Sequence, residues 1–274
     1  MTRLVALLGK PLRRRHSVVM HNAAFAAAGI DAEYVLRELD ADEVSAAVAG
    51  ARGPDWLGLG VTAPYKMLVA SLLDEVEHDA REIGAVNNVI RAADGRLIGI
   101  NTDAPGFRAA AEQAIGWPLR GANVVVAGAG GAAQAVAYAC RKAGVARLTV
   151  GNRTLPASAA GVDAVALDST DFEQALRSAD LAVNATTVGM VDPGMTLPIE
   201  LLPDGATVFD LVYVPFETPL LAAARARGLN AANGSEMLIA QAAAAFERWT
   251  GVGGMADVMR EAVQPLFAEA GAAA

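Results

Sequence analysis

Two residues in this chain stand where proton-transfer chemistry would be done. Lys66 closes the run Val61-Thr62-Ala63-Pro64-Tyr65-Lys66, just past an apolar, strand-like stretch at 57–61. Asp103 follows a second such stretch, Leu97–Ile100, through Asn101 and Thr102. In α/β proteins ligands collect at the carboxyl ends of strands. A lysine drawn out of water there has a lowered pKa and becomes a usable acid or base, and a neighbouring carboxylate orients it. For two polar residues of no known relation a solvated surface pair is the default explanation. Residue type alone therefore leaves both readings open.

A second constellation concerns phosphate. The β-branched run Val124-Val125-Val126-Ala127 breaks into Gly128-Ala129-Gly130-Gly131-Ala132-Ala133, a G-x-G-x-x-A pattern, and continues as an Ala-rich helical stretch at 134–143. Strand, glycine turn and helix in that order make the context in which the motif binds a dinucleotide. Gly128 permits the tight turn, Gly130 lets backbone approach a pyrophosphate, and Ala133 seats the helix on the sheet. The helix N-terminus offers N–H groups and partial positive charge to the phosphates. About 20 residues on, where a ribose-binding Asp or Glu marks an NAD site, the chain instead reads Asn152-Arg153-Thr154. A guanidinium there stacks on adenine and pairs with a 2′-phosphate. NADP is the expected cofactor, with NAD as a weaker alternative.

Bulk properties exclude other classes. With 274 residues, net charge −8 and a pI near 4.9, neither nucleic acid nor an anionic membrane is expected as a partner. The lone Cys140 rules out an internal disulfide and fits a reducing compartment. The three histidines, His16, His21 and His78, lack ligand-like spacing, so no metal is expected. Residues 1–8 read as a strand rather than a signal peptide, and the apolar window 124–140 reads as a buried strand and helix rather than a membrane span. A cytoplasmic protein, monomeric or homodimeric, is expected.

The elements that must hold these residues alternate between strand-like and helix-like, which predicts an α/β protein with largely parallel sheets. Strands are expected at 4–8, 32–36, 57–61, Leu181–Asn184 and Thr207–Asp210, and helices at about 17–28, 236–250 and 255–268. Asp40 and Glu43 form a D-x-x-E pair before a further helix, and Asp94-Gly95 joins 87–91 to Leu97–Ile100 as a hairpin. Lys10, Arg13, Arg14 and Arg15 make a local basic cluster. The expected division is a substrate and catalytic domain, 1–104 plus 236–274, closed by C-terminal helices. A Rossmann-type dinucleotide domain, 105–235, is inserted in it.

Taken together, the motifs resemble one family nearly end to end. They are Gly9-x-Pro11-Leu12, Met20-His21-Asn22-Ala23-Ala24-Phe25, Val61-Thr62-x-Pro64-x-Lys66, Ile83-Gly84-Ala85-Val86-Asn87 and Gly99-x-Asn101-Thr102-Asp103-x-x-Gly106-Phe107. The glycine loop and Asn152-Arg153-Thr154 follow, then Asn184-Ala185-Thr186-x-x-Gly189-Met190, Asp210-x-Val212-Tyr213-x-Pro215-x-x-Thr218-Pro219-Leu220 and Gly234-x-x-Met237-Leu238-x-x-Gln241, closing with Phe246-x-x-Trp249-x-Gly251. In this order and spacing they resemble the shikimate dehydrogenases, including the quinate/shikimate and shikimate dehydrogenase-like branches. The resemblance implies NADP-linked interconversion of shikimate, or a close analogue, and its 3-dehydro ketone, with Lys66 and Asp103 as the catalytic dyad. Quinate and an aminated shikimate are alternative substrates. A non-catalytic NADP-binding regulatory module is the alternative of another kind, against which the retained dyad argues.

The same likeness places Thr62, Asn87 and Gln241 against the hydroxyls of a cyclic carboxylic acid and Tyr213 between substrate and nicotinamide. Gly128, Ala129, Gly130, Gly131 and Ala132 would hold pyrophosphate, and Asn152, Arg153 and Thr154 the 2′-phosphate. Thr186, Val188, Met190, Val212, Gly234 and Met237 would line the nicotinamide end. The chain departs from the family at several positions. The carboxylate-binding loop H-S-x-S-P has Arg14 for His, Arg15 for the first Ser, Ser17 for the second and Val18 for Pro. Arg15 offers a charged fork where relatives carry a neutral hydroxyl. Gly60 replaces Asn, Asn88 replaces Thr, and Ala157 replaces a basic residue.

Overall fold

Near-continuous apolar runs become central strands and Ala-rich segments become the helices that cover them, as a computed structural model describing residues 2–12, 15–190 and 192–272 bears out. The basic cluster lies partly outside the described residues, since Arg13 and Arg14 are not among them. Two units divide the chain: Met1–Thr102 with Ile239–Pro265, and Asp103–Leu238 with Leu266–Ala274.

The first unit is built on β1 (Arg3–Gly9), α1 (His16–Ala27), β2 (Ala32–Glu38), α2 (Val44–Gly50), β3 (Trp56–Val61), β4 (Glu75–Val76), α3 (His78–Ile83), β5 (Asn88–Arg91) and β6 (Leu97–Ile100). Its sheet has the order β2-β1-β3-β5-β6-β4. β1 is parallel to both neighbours, whereas β3, β5 and β6 pair antiparallel through the expected hairpin. On one face, Ala6, Leu8, Leu59, Val61 and Val89 pack with Val44, Ala47 and Val48 of α2. On the other, two glycines bring bulky side chains down onto the sheet. A Cβ on Gly58 would lie 2.6 Å from Trp249 Nε1, and one on Gly60 2.6 Å from the Tyr34 hydroxyl. Trp249 donates its indole N–H to the Val89 carbonyl at 3.0 Å. Asn22 of α1 clamps Tyr34 by both backbone groups, at 2.7 and 3.1 Å. His21 stacks on Tyr34 with ring centroids 4.4 Å apart and lies 5.2 Å from the Trp249 ring.

In the second unit α4 (Asp103–Ile115) precedes β7 (Asn123–Ala127), α5 (Gly131–Ala143), β8 (Arg147–Asn152), β9 (Ser158–Ala159), β10 (Val162–Ala166), α6 (Thr170–Leu176), β11 (Leu181–Asn184), β12 (Thr207–Asp210), α7 (Pro219–Ala226) and β13 (Asn230–Asn233). The sheet order is β13-β12-β11-β7-β8-β10-β9, with only β9 antiparallel to its neighbour. Counting outward from β7, the chain first winds one way and then the other. That is the doubly wound dinucleotide-binding arrangement, with its switch point between β7 and β11. Phe107 of α4 meets Phe209 of β12 edge-on at 5.6 Å.

Two local differences from the sequence reading have physical causes. The Asp40–Glu43 pair forms only half a capping box: Glu43 accepts from the Asp40 N–H at 2.8 Å, but the Asp40 carboxylate pairs with Lys10. Helix α8 (Ser235–Thr250) is divided between the units near residue 238, and α9 (Ala256–Ala272) near residue 265. The end of α9 goes with the second unit, where Phe267 meets Tyr213 and Phe216 at 6.2 and 5.7 Å.

Candidate functional site

Within the first unit, backbone hydrogen bonds gather the segments that carry the candidate substrate residues. Thr62 continues the β3 ladder by donating to Leu8 O at 2.9 Å, and Tyr65 N closes the turn on Thr62 O at 3.0 Å. Tyr65 is buried and anchors that turn through its hydroxyl, which donates to Leu39 O at 2.6 Å. The Lys66 carbonyl accepts from Val86 N at 2.9 Å, Val61 N donates to Asn87 O at 2.8 Å, and Asn87 N donates to Ile100 O at 3.2 Å. The half-buried Lys66 is thereby tied beside Asn87, and Asn87 beside the segment leading into Asp103.

Side chains extend these ties. Asn87 Nδ2 and Asn88 Nδ2 both donate to Thr102 Oγ1, at 3.2 and 2.9 Å. Thr102 Oγ1 in turn lies 3.4 Å from Gln241 Oε1 of α8, and Asn101 donates to Ala85 O at 2.9 Å. Asp103, buried at 7% exposure, opens α4, where the helix dipole favours a carboxylate. Arg15 is exposed at the position before α1 and does not cap it, while Ser17 is half-buried in the first turn. The structure thus brings together Thr62, Lys66, Asn87 and Gln241 within the first unit, with Arg15 exposed just before α1.

In the second unit the glycine loop meets the demands read from its sequence. Gly128 has φ +114°, a conformation L side chains rarely adopt, and a Cβ there would lie 2.9 Å from Ala185 O at the switch point. Its N–H donates to Gly151 O at 2.7 Å. Around Gly130 a Cβ would meet open space, and no side chain caps α5. An uncapped helix start beside bare backbone is the donor set a pyrophosphate requires, so the loop fits a dinucleotide. Arg153 and Thr154 are exposed past β8, where Asn152 Nδ2 donates to Thr154 O at 2.8 Å.

The loop after β11 carries Thr186, Val188 and Met190, and Asn184 shapes it. Asn184 Oδ1 accepts from Thr186 N, Thr186 Oγ1 and Thr196 Oγ1, and its Nδ2 donates to Val188 O and Asp210 Oδ1 at 3.1 and 2.9 Å. Asp210 also accepts from Val212 N at 3.0 Å and the Thr218 hydroxyl at 2.7 Å. Burial raises its pKa, and these hydrogen bonds oppose the rise. Asn184, at the end of β11, and Thr218, at the N-cap of α7, hold the loop, a role their place in the sequence motifs had not assigned them. Val212 and Met237 are buried, and Gly234 passes so near Leu211 that a Cβ would lie 2.2 Å from its carbonyl oxygen. Among the described residues no cluster of His, Cys, Asp and Glu could hold a metal, and no helix is long and apolar enough to cross a membrane.

Comparison with known proteins identifies what carries these elements. Residues 7–89 match the shikimate dehydrogenase substrate binding domain, and residues 234–264 match the shikimate 5′-dehydrogenase C-terminal domain. A shikimate dehydrogenase (NADP(+)) of Symbiobacterium thermophilum is 43% identical over 95% of this chain and 93% of its own length. The crystal structure of shikimate 5-dehydrogenase from Thermus thermophilus in complex with NADP(H) and shikimate superposes with a TM-score of 0.86 at 39% identity, covering 96% of this chain and 99% of that one. Quinate dehydrogenase from Corynebacterium glutamicum in complex with NAD gives 0.87 at 33% identity, covering 96% and 99%. At such identity over nearly the whole length, this chain belongs to the shikimate dehydrogenase family.

Proposed function

We propose that this chain catalyses the reversible NADP-linked oxidation of shikimate to its 3-dehydro ketone, with Lys66 and Asp103 as the acid–base pair. NADP, when bound, would supply the hydride acceptor that oxidation of the carbinol carbon needs. Lys66 Nζ takes the hydroxyl proton as that hydride leaves and returns it in the reverse direction, while Asp103 orients the amine and favours its charged form. Thr62, Asn87 and Gln241 hold the ring hydroxyls, Arg15 and Ser17 meet the carboxylate, and Tyr213 would contact substrate and nicotinamide. Gly128 to Ala132 hold the pyrophosphate, Asn152, Arg153 and Thr154 the 2′-phosphate, and Thr186, Val188, Met190, Val212, Gly234 and Met237 the nicotinamide end. The first unit is the substrate domain and the second the NADP domain of this scheme. A monomer or homodimer in the cytoplasm, with a buried thiol suited to a reducing compartment, belongs to the same proposal.

The observation that carries the reading is the set of backbone hydrogen bonds tying the Lys66 turn to Asn87 and Asn87 to the segment entering Asp103. A spectrophotometric screen of NADP⁺ and NAD⁺ against shikimate, quinate, an aminated shikimate and related cyclic acids tests it. Reduction of NADP⁺ with shikimate is the expected result, and no reduction with any acid would favour a binding module instead. Quinate is the second reading, because an exposed arginine replaces a serine in the carboxylate loop and a quinate dehydrogenase shares the fold at 33% identity.

A further inference from the structure

Resting on the reading of Asn152, Arg153 and Thr154 as the 2′-phosphate segment, one side chain of the second unit deepens it. The chain leaves β8 at Asn152 and runs through the exposed residues 153–156 before β9 pairs antiparallel with β10. Ala159 and Val162 are partners in that pairing, so Ala160 and Gly161 form a two-residue hairpin turn. Both have positive φ, +47° and +78°, the pattern of a type I′ turn, which favours Asn, Asp and Gly. Ala160 is the one residue other than glycine with positive φ among the described residues. Its Cβ opposes that conformation, so contacts from elsewhere must hold the turn.

Helix α5 supplies them. Gln134 stands in its first turn, where its backbone N–H donates to Gly130 O at 2.9 Å. Gln134 Oε1 accepts from Ala160 N, and Nε2 donates to Ser158 O at 2.8 Å. The same Nε2 lies 3.5 Å from Ala129 O of the glycine loop. A backbone N–H on one side and two backbone carbonyls on the other leave the carboxamide a single orientation. Two turns along α5, Arg141 donates to Ala160 O. Both backbone groups of Ala160 therefore end on α5 side chains. One carboxamide spans from the pyrophosphate loop to the hairpin that ends the Arg153 segment.

We propose that Gln134 is a positioning residue for the 2′-phosphate. By holding the strained hairpin it fixes the Arg153 segment relative to the glycine loop, and so sets the preference for NADP over NAD through the backbone. Gln134→Met, at a half-buried helical position, keeps length and helix propensity and removes both hydrogen bonds. Calorimetric titration with NADP⁺ should find binding about tenfold weaker in this variant, the scale of one or two neutral hydrogen bonds. NAD⁺, which has only a hydroxyl in place of the 2′-phosphate, should bind within about twofold of wild type. Glycine adopts a positive φ without strain, so adding Ala160→Gly to Gln134→Met should restore most of the NADP affinity. Ala160→Gly alone should leave the ratio of the two affinities unchanged. An unchanged ratio in Gln134→Met would overturn the proposal. So would equal losses of both cofactors, or a loss that Ala160→Gly does not recover. A wild-type preference for NADP that survives Arg153→Ala would instead overturn the assignment of Arg153 on which the proposal rests.

Discussion

His21 offers a test of the packing that seats α1 and α8 on the first sheet. Its ring is fully buried against Tyr34 and Trp249, its Nδ1 has no hydrogen-bond partner, and burial lowers its pKa from 6.5 to about 3. The native state refuses a proton that the unfolded chain takes up at 6.5. Between these values the unfolded state binds more protons, so stability falls as pH falls through that window. At about 1.36 kcal/mol per pH unit, His21 alone removes about 2.7 kcal/mol by pH 4.5 and on the order of 5 kcal/mol by pH 3. His21→Phe keeps a ring on Tyr34 but carries no titrating group. Urea unfolding at pH 7.5, 6.0, 5.0 and 4.5, in a background where Trp56→Phe and Trp117→Phe leave Trp249 as the reporter, measures both proteins. The wild type should lose stability on acidification faster than the variant by about 2–3 kcal/mol over this range. Parallel pH dependences would refute the reasoning, whatever constant offset the larger ring introduces.

Steady-state kinetics should find turnover in Lys66→Ala or Asp103→Ala reduced about 10²–10⁴-fold, with NADP binding little changed and the two losses far from additive; near-normal turnover in Lys66→Ala would reject the dyad. Arg153→Ala should weaken NADP by about 1.5–3 kcal/mol, the scale of a charged hydrogen bond, and leave NAD nearly untouched, as dye-free fluorescence titration of both cofactors would report. Arg15→Ser should change the ranking of shikimate against other acids if the guanidinium meets the carboxylate, and an unaltered ranking would assign Arg15 to solvent. Cys140 is buried and its thiol is pushed up to about 12; maleimide at pH 8 should label it only after unfolding, and rapid labelling of the native protein would contradict that burial.

Legibility in the sequence followed how locally each feature is determined. Strands β11 and β12 were readable to the residue because Leu-Ala-Val-Asn and Thr-Val-Phe-Asp are short, apolar and bounded. β13, Asn-Ala-Ala-Asn, has little strand propensity and forms because it pairs with β12, a tertiary cause no local pattern announces. β4 is two residues long and exists by pairing with β6. The glycine loop was legible because a positive φ and a carbonyl 2.9 Å from a would-be Cβ admit only glycine. Of the Asn184–Asp210–Thr218 cluster, the loop-fixing part of Asp210 was legible, but its partners were not, since they depend on which strand ends lie side by side.

The indole of Trp249 closing on the Val89 carbonyl also sets an order of assembly during synthesis. The two residues are separated by 160 positions. At about 5–20 residues per second the ribosome delivers Trp249 roughly 8–30 s after Val89. Throughout that interval the part of the sheet face over Gly58 lies uncovered, since the indole that fills it has yet to be made. Meanwhile the six parallel strands of the second sheet, all between residues 123 and 233, emerge in one uninterrupted stretch. The first sheet, begun early, is therefore finished late, and the nascent chain must carry an open apolar face until α8 arrives.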